Sequence, residues 1–134
     1  MRLAVVDASL VVQLYFEEDH SAEAEWLFRQ NKVLFAPDMI WPECANAIWK
    51  RLRRGNLSKA DATDIANRVF RLPLCIHASV DLIQDALKLA IEFDRTVYDS
   101  LYVALAVKTD STMVTTGCRL VNTLAGSPLE KYVM

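Results

Sequence analysis

Glycine and proline are both scarce in this chain, with three of one and four of the other in 134 residues. That scarcity excludes collagen-like and long looping architectures and leaves most of the backbone to regular elements. Cysteine is scarce too, at Cys44, Cys75 and Cys118. An odd number without metal-ligand spacing excludes a disulfide framework and reads as free thiols in a reducing compartment, here the cytoplasm. No apolar run reaches the roughly 20 residues that a bilayer-spanning helix needs, so no membrane association is expected. The first stretch, MRLAVVDASLVVQLYFEED, has one Arg and a short apolar run that Asp7 breaks. No small-residue cleavage site follows it, and a signal peptide is not expected. Neither sign of charge dominates, because 15 Lys and Arg face 17 Asp and Glu for a net charge of −2. Coating of nucleic acid by bulk charge is excluded, while local contacts are not.

What the chain does have is apolar surface, 53% of residues against 24% charged, enough for a single domain over residues 1–134 to bury a core. RLAVVDA, KVLFAP, LPLCIHA, STMVTT and a final EKYVM read as short strands. Between them SLVVQLYF, SAEAEWLFRQ, MIWPECANAIWKRLRRGN, SKADATDIANRVF, SVDLIQDALKLAIEFD, YDSLYVALAVKTD and CRLVNTLAG read as helices. Ser9 is expected to cap the first helix, Ser58 with Asp61 to open the fourth, and Gly55 to close the third. Strands alternating with helices predict an α/β fold with a mainly parallel sheet.

The stretch TVYDSLYVALA is apolar except for Asp99 near its front edge. An unpaired carboxylate taken out of water costs several kcal/mol, on the order of a domain's whole stability. Asp99 therefore either meets solvent at a helix start or meets something positive in a pocket. Asp7 ends the first strand and Glu43 lies early in the helix after the second, so three acids occupy one end of the parallel elements. That is the end where open parallel sheets bind ligands. Each acid alone also reads as a cap or a solvated first-turn residue, and a helix dipole favours each by only about 0.3–1 kcal/mol. Together they call for a shared proton or a divalent cation, and all-oxygen donors suit Mg²⁺ or Mn²⁺. Asn46, one turn after Glu43, is placed to reach the acid or a phosphate.

KRLRRG carries Lys50, Arg51, Arg53 and Arg54. They read either as a solvated helix end that complements the dipole or as a clamp for RNA phosphates. Trp26, Trp41 and Trp49, with Tyr98 and Tyr102 beside Asp99, are expected as packing or interface residues. Leu14, Tyr15 and Phe28 are expected in the core, with a dimer or partner groove as the alternative. A phospho-acceptor receiver domain also gathers acids at strand ends. However, VVDAS offers a single acid and MVTTGCR offers no lysine.

VVDASLVVQLYFEED, WPECANAIWKRLRRG and YDSLYVALAVKTDSTMVTTGCRL, in that order and spacing, resemble a PIN domain. Within that family they resemble the VapC-type toxins of prokaryotic toxin–antitoxin pairs. The resemblance implies a PIN-like three-layer α/β/α fold around a short, mainly parallel sheet of about four or five strands. It implies an endoribonuclease dependent on Mg²⁺ or Mn²⁺ that hydrolyses RNA phosphodiester bonds and leaves a 5′-phosphate. It also implies a cognate antitoxin and a homodimer. The family's acids fall on Asp7, Glu43 and Asp99, and its neighbouring polar positions on Ser9, Asn46 and Thr115.

One match fails. The family commonly carries a further aspartate in a T-x-D pattern followed by a basic residue and a leucine. Here VTTGCRL puts Gly117 in the aspartate's place, while Thr115, Arg119 and Leu120 keep the rest. Asp94 and Asp110 are near in sequence but stand at other positions. A second metal position would then be weakened, and the alternative is a binding module for RNA or antitoxin that has lost turnover. Arg119 is left for a phosphate contact or for the surface.

Overall fold

β1 (Leu3–Val6) is the hub of the sheet. Its Leu3, Ala4 and Val5 pair in parallel with Val33, Leu34 and Phe35 of β2 (Val33–Pro37). On its other side Ala4, Val5 and Val6 pair in parallel with Thr112, Met113 and Val114 of β4 (Thr112–Val114). β3 (Cys75–His77) adds to β2, which gives the order β3-β2-β1-β4 with every pairing parallel. This computed structural model describes residues 3–16, 28–29, 33–115 and 118–134.

Alternation along β1 sends Ala4 and Val6 into one core and Val5 into another. The first core holds α1 (Ala8–Gln13), α2 (Ile40–Arg53) and α3 (Lys59–Val69) against the sheet. The second holds α4 (Ile83–Phe93), α5 (Val97–Thr109) and α6 (Cys118–Leu124). The layers are therefore α/β/α, as expected. The chain steps outward from β1 to β3 with helices on one face, then returns to β4 beyond β1 with helices on the other. Crossovers of one hand require that change of face when the direction reverses. The reversal leaves a switch point between the carboxyl ends of β1 and β4.

α5 is buried from Ser100 through Ala106 without a break, so it is apolar on every side and fills the layer between sheet and α4. α4 buries Leu82 at its cap and Ala86, yet exposes Ile83, Leu87 and Ile91 on another side. Asp94 and Asp110 close α4 and α5 in the left-handed region, at φ 52° and 50°, so each has a local role as a helix stop. Gly55, at φ 80°, ends α2 as expected.

Two expectations change and a third is largely untested. EKYVM is not a strand: Glu130–Tyr132 is a single 3-10 turn, and only Val133 makes a bridge, to Met113. Val133 is the run's one fully buried side chain, too little apolar surface to hold a further strand. The SVDL segment begins as a 3-10 turn because Asp38 captures the Ser79 amide at 3.1 Å and α4 starts only at Ile83. The helix expected over SAEAEWLFRQ lies outside the described residues except for Phe28 and Arg29, which are helical. Leu14, Tyr15 and Phe28 pack against the first core, as expected.

Candidate functional site

The switch point is bridged by side chains. Asp7 follows β1 directly, in an extended conformation at φ −101° and ψ 171°, and is itself the N-cap of α1. Its Oδ1 accepts from the Leu10 amide at 2.9 Å and from Ser9 Oγ at 2.9 Å. Ser9 was expected as the cap; instead it stands inside α1 and donates to the cap. Asp7 Oδ2 accepts from the Thr115 hydroxyl, one residue beyond β4. Burial raises the proton affinity of Asp7, the three donors lower it, and the Asp99 charge raises it again.

Glu43 sits in the first turn of α2, and its Oε1 accepts from the Tyr102 hydroxyl at 2.8 Å. Burial raises its proton affinity, Tyr102 lowers it, and the charges of Asp7 and Asp99 raise it further. Tyr102 is itself held firmly protonated, first by burial and then by the Glu43 carboxylate. Cys44, next to Glu43, is buried, and burial followed by the charges of Glu43 and Asp7 pushes its thiol up to about 12. It is a neutral packing group rather than a nucleophile.

Asp99 lies in the first turn of α5 behind Thr96, whose Oγ1 accepts from the Asp99 amide at 3.1 Å. Its Oδ2 meets Arg95 Nη2 at 2.6 Å. Asp99 therefore does both things that its place in the sequence allows, meeting Arg95 while its side chain stays 40% exposed at the helix start. Spacing of i, i+4 across a helix start is the signal that could have found Arg95. Among the described residues, the buried Nε of Arg95 has no hydrogen-bond partner.

Two clefts meet at this site. One, of about 380 Å³, runs between α1 and α2 and is lined by Ser9, Glu43, Asn46, Lys50, Arg51 and Arg54, among others. Arg53 belongs elsewhere: its guanidinium lies 5.3 Å from the Trp49 ring, whereas that of Arg51 lies 4.4 Å from Phe16. The other cleft, of about 340 Å³, is lined by Met39, Pro42, Glu43, Asn46 and Tyr98. Asn46 is exposed and belongs to both clefts, with no hydrogen bond to Glu43 among the described residues. Tyr98, expected to pack, is 59% exposed. Gly117 lies outside the described residues, as does the side chain of Arg119.

Among the described residues, no three His, Cys, Asp or Glu side chains are disposed to hold one metal ion. Each carboxylate instead has its own partner, Thr115 and Ser9 for Asp7, Tyr102 for Glu43 and Arg95 for Asp99. The donor set still suits Mg²⁺, which needs only one or two carboxylates with water filling the other positions. Asp7 is half-buried, raised in proton affinity and without a cationic partner among the described residues, so it fits that part best. Among the described residues, no helix is long and apolar enough to cross a membrane.

The family model described as "PIN domain" matches residues 4–123. Ribonuclease VapC3 of Pyrobaculum aerophilum is 36% identical over 113 residues, covering 83% of this chain and 86% of that one. The crystal structure of PAE2754 from the same organism superposes with a TM-score of 0.73 at 23% identity, covering 94% of this chain and 82% of that one. A toxin–antitoxin complex from Klebsiella pneumoniae gives 0.64 at 16% identity, covering 98% of this chain and 95% of the other. With a parallel sheet whose switch point carries Asp7, and with a matching relative over most of its length, the chain belongs to the PIN domain family and to its VapC-type ribonucleases.

Proposed function

We propose that this protein is the toxin of a toxin–antitoxin pair, a cytoplasmic endoribonuclease that hydrolyses RNA phosphodiester bonds with Mg²⁺ or Mn²⁺. The observation that carries the reading is electrostatic. Asp7 at the switch point and Glu43 in the first turn of α2 are raised in proton affinity by burial first, and the Asp99 charge adds to both. A gathering of like charge of this kind is stabilised by a bound cation. Mg²⁺ or Mn²⁺, when bound, supplies Lewis-acid activation of water and of the phosphate.

The chain's own residues do the positioning. Thr115, Ser9 and the Leu10 amide fix the orientation of Asp7, and Tyr102 fixes that of Glu43. Lys50, Arg51 and Arg54 line the same cleft as Glu43 and Asn46 and would hold backbone phosphates there. Arg53 has no part in that cleft. An antitoxin and a homodimer complete the reading. The apolar Ile83, Leu87 and Ile91 exposed on α4 favour a protein partner there.

The test is cleavage of a panel of structured RNAs, assayed with a chelator and with graded Mg²⁺ or Mn²⁺. Cleavage that appears with metal and vanishes with chelator supports the proposal, and metal-independent cleavage sinks it. The glycine at position 117 favours a second reading, a binding module without turnover. That reading gains if the natural chain is inactive at every metal concentration while Gly117→Asp cuts RNA.

A further inference from the structure

α5 carries two tyrosines one turn apart, and the fold treats them oppositely. Tyr102 is 3% exposed and spends its hydroxyl on Glu43, whereas Tyr98 is 59% exposed on the other side of Asp99. Tyr98 is an aromatic ring kept in water immediately beside a charged site. It lines the second cleft, whose remaining walls are the apolar Met39 and Pro42, the Asn46 amide and the Glu43 carboxylate. Glu43 and Asn46 also line the first cleft, so the two adjoin there as one trough. At one end the trough is cationic, through Lys50, Arg51 and Arg54. At the other it is apolar and aromatic.

From that asymmetry we infer that the Tyr98 end is a nucleobase subsite, which stacks the base next to the scissile phosphate of a single-stranded RNA. The inference rests on the ribonuclease reading and gives its substrate a direction. Phosphates on one side of the cut lie over the basic residues of α2, and the base on the other side lies against Tyr98. About 340 Å³ leaves room for a base with its ribose, and Asn46 offers a donor and an acceptor to the base edge. Stacking on an aromatic face tolerates every base, so the subsite favours unpaired nucleotides over a particular sequence. The cationic end argues for RNA over a peptide as occupant, since it continues the same trough with charge of the sign that phosphates require.

The test uses short single-stranded oligoribonucleotides with 2-aminopurine at each position in turn, bound to the Asp7→Asn protein so that no strand is cut. With Tyr98 present, the fluorescence of one position should be quenched by stacking. Adding Tyr98→Ala should abolish that quenching and weaken affinity about tenfold, toward the lower part of the range for stacked bases. Tyr98→Phe and Tyr98→Trp should retain both, which separates stacking from loss of fold or of the hydroxyl. Unchanged quenching and affinity in Tyr98→Ala overturn the subsite and leave the trough to a protein segment. If the Asp7→Asn protein with Tyr98 intact binds no RNA, the ribonuclease reading falls and the subsite falls with it.

Discussion

Asp7 and Asp99 are both acids at the front of a helix, yet the fold satisfies them by different means. Asp7, between the ends of β1 and β4, is held by three neutral donors: a hydroxyl from Ser9, the Leu10 amide and a hydroxyl from Thr115. Asp99 is held by a cation, Arg95, at 2.6 Å. Neutral donors orient a carboxylate without adding positive charge, whereas a guanidinium sets a full positive charge against it. Asp7 therefore keeps a demand for positive charge that Asp99 has already met within the chain. The comparison predicts unequal parts in metal binding, with Asp7 as the principal ligand and Asp99 as one that must exchange Arg95 for the ion.

The largest break should come at Asp7. Asp7→Asn keeps a competent helix cap, since Asn and Asp cap about equally well, so the fold should survive. Metal-dependent cleavage should fall by about 10²–10³, the scale of removing one preorganised electrostatic partner from a reacting centre. RNA cleavage measured beside a thermal melt checks both halves. Full activity in a folded Asp7→Asn protein would take Asp7 out of the site.

Next in size are the donors. Tyr102→Phe deletes the bond to Glu43, and since that bond lowers the proton affinity of Glu43, its loss should raise it. The acidic limb of the cleavage pH profile should move to higher pH, with a loss of roughly tenfold, as for outer-shell partners of metal ligands. A profile that does not move would make Tyr102 a packing residue only. Arg95→Met should act in the opposite direction. It leaves Asp99 without its cation and keeps an apolar stem against Leu89, Phe93 and Leu120. Mn²⁺ titrated calorimetrically should bind a few-fold to about tenfold tighter, a coupling of roughly 1 kcal/mol. The exposed half of the pair limits the cost in fold stability to about 0.3–0.5 kcal/mol. Unchanged metal affinity would mean that Asp99 never meets the ion.

The sequence carried the layers and the sheet because β-branched strands and amphipathic helices announce themselves by period. It carried the acids because a charge at the edge of an apolar run is conspicuous. It did not carry their partners. Tyr102 and Glu43 are 59 residues apart and belong to helices on opposite faces of the sheet, so only the assembled fold brings them together. Tyr98 and Tyr102 looked alike in YDSLY and share a face of α5; Tyr98, in the first turn, is left to solvent, whereas Tyr102, one turn further along, is buried. Ser9 and Asp7 were both chemically able to cap α1, and the choice fell to whichever residue kept the extended backbone of β1. EKYVM had strand composition but supplied only one bridge.

The smallest expected effect is also the most direct reading of the comparison. In the metal-free protein the proton affinities of Asp7 and Glu43 are raised from ordinary values of 3.8 and 4.5. Through that window the folded chain binds more protons than the unfolded one, so folding stability must fall as pH rises from about 4 toward neutrality. Asp7→Asn removes one of the two titrating groups and should flatten the fall, measured by urea unfolding across pH in chelator. Saturating Mn²⁺ should reverse the slope in the natural protein, because the ion selects the ionised carboxylates and binds the folded chain alone. Asp7→Asn should lose most of that reversal. Arg95→Met should keep it, since Asp7 and its three donors are untouched. If Arg95→Met loses the reversal and Asp7→Asn keeps it, the roles of the two acids are exchanged.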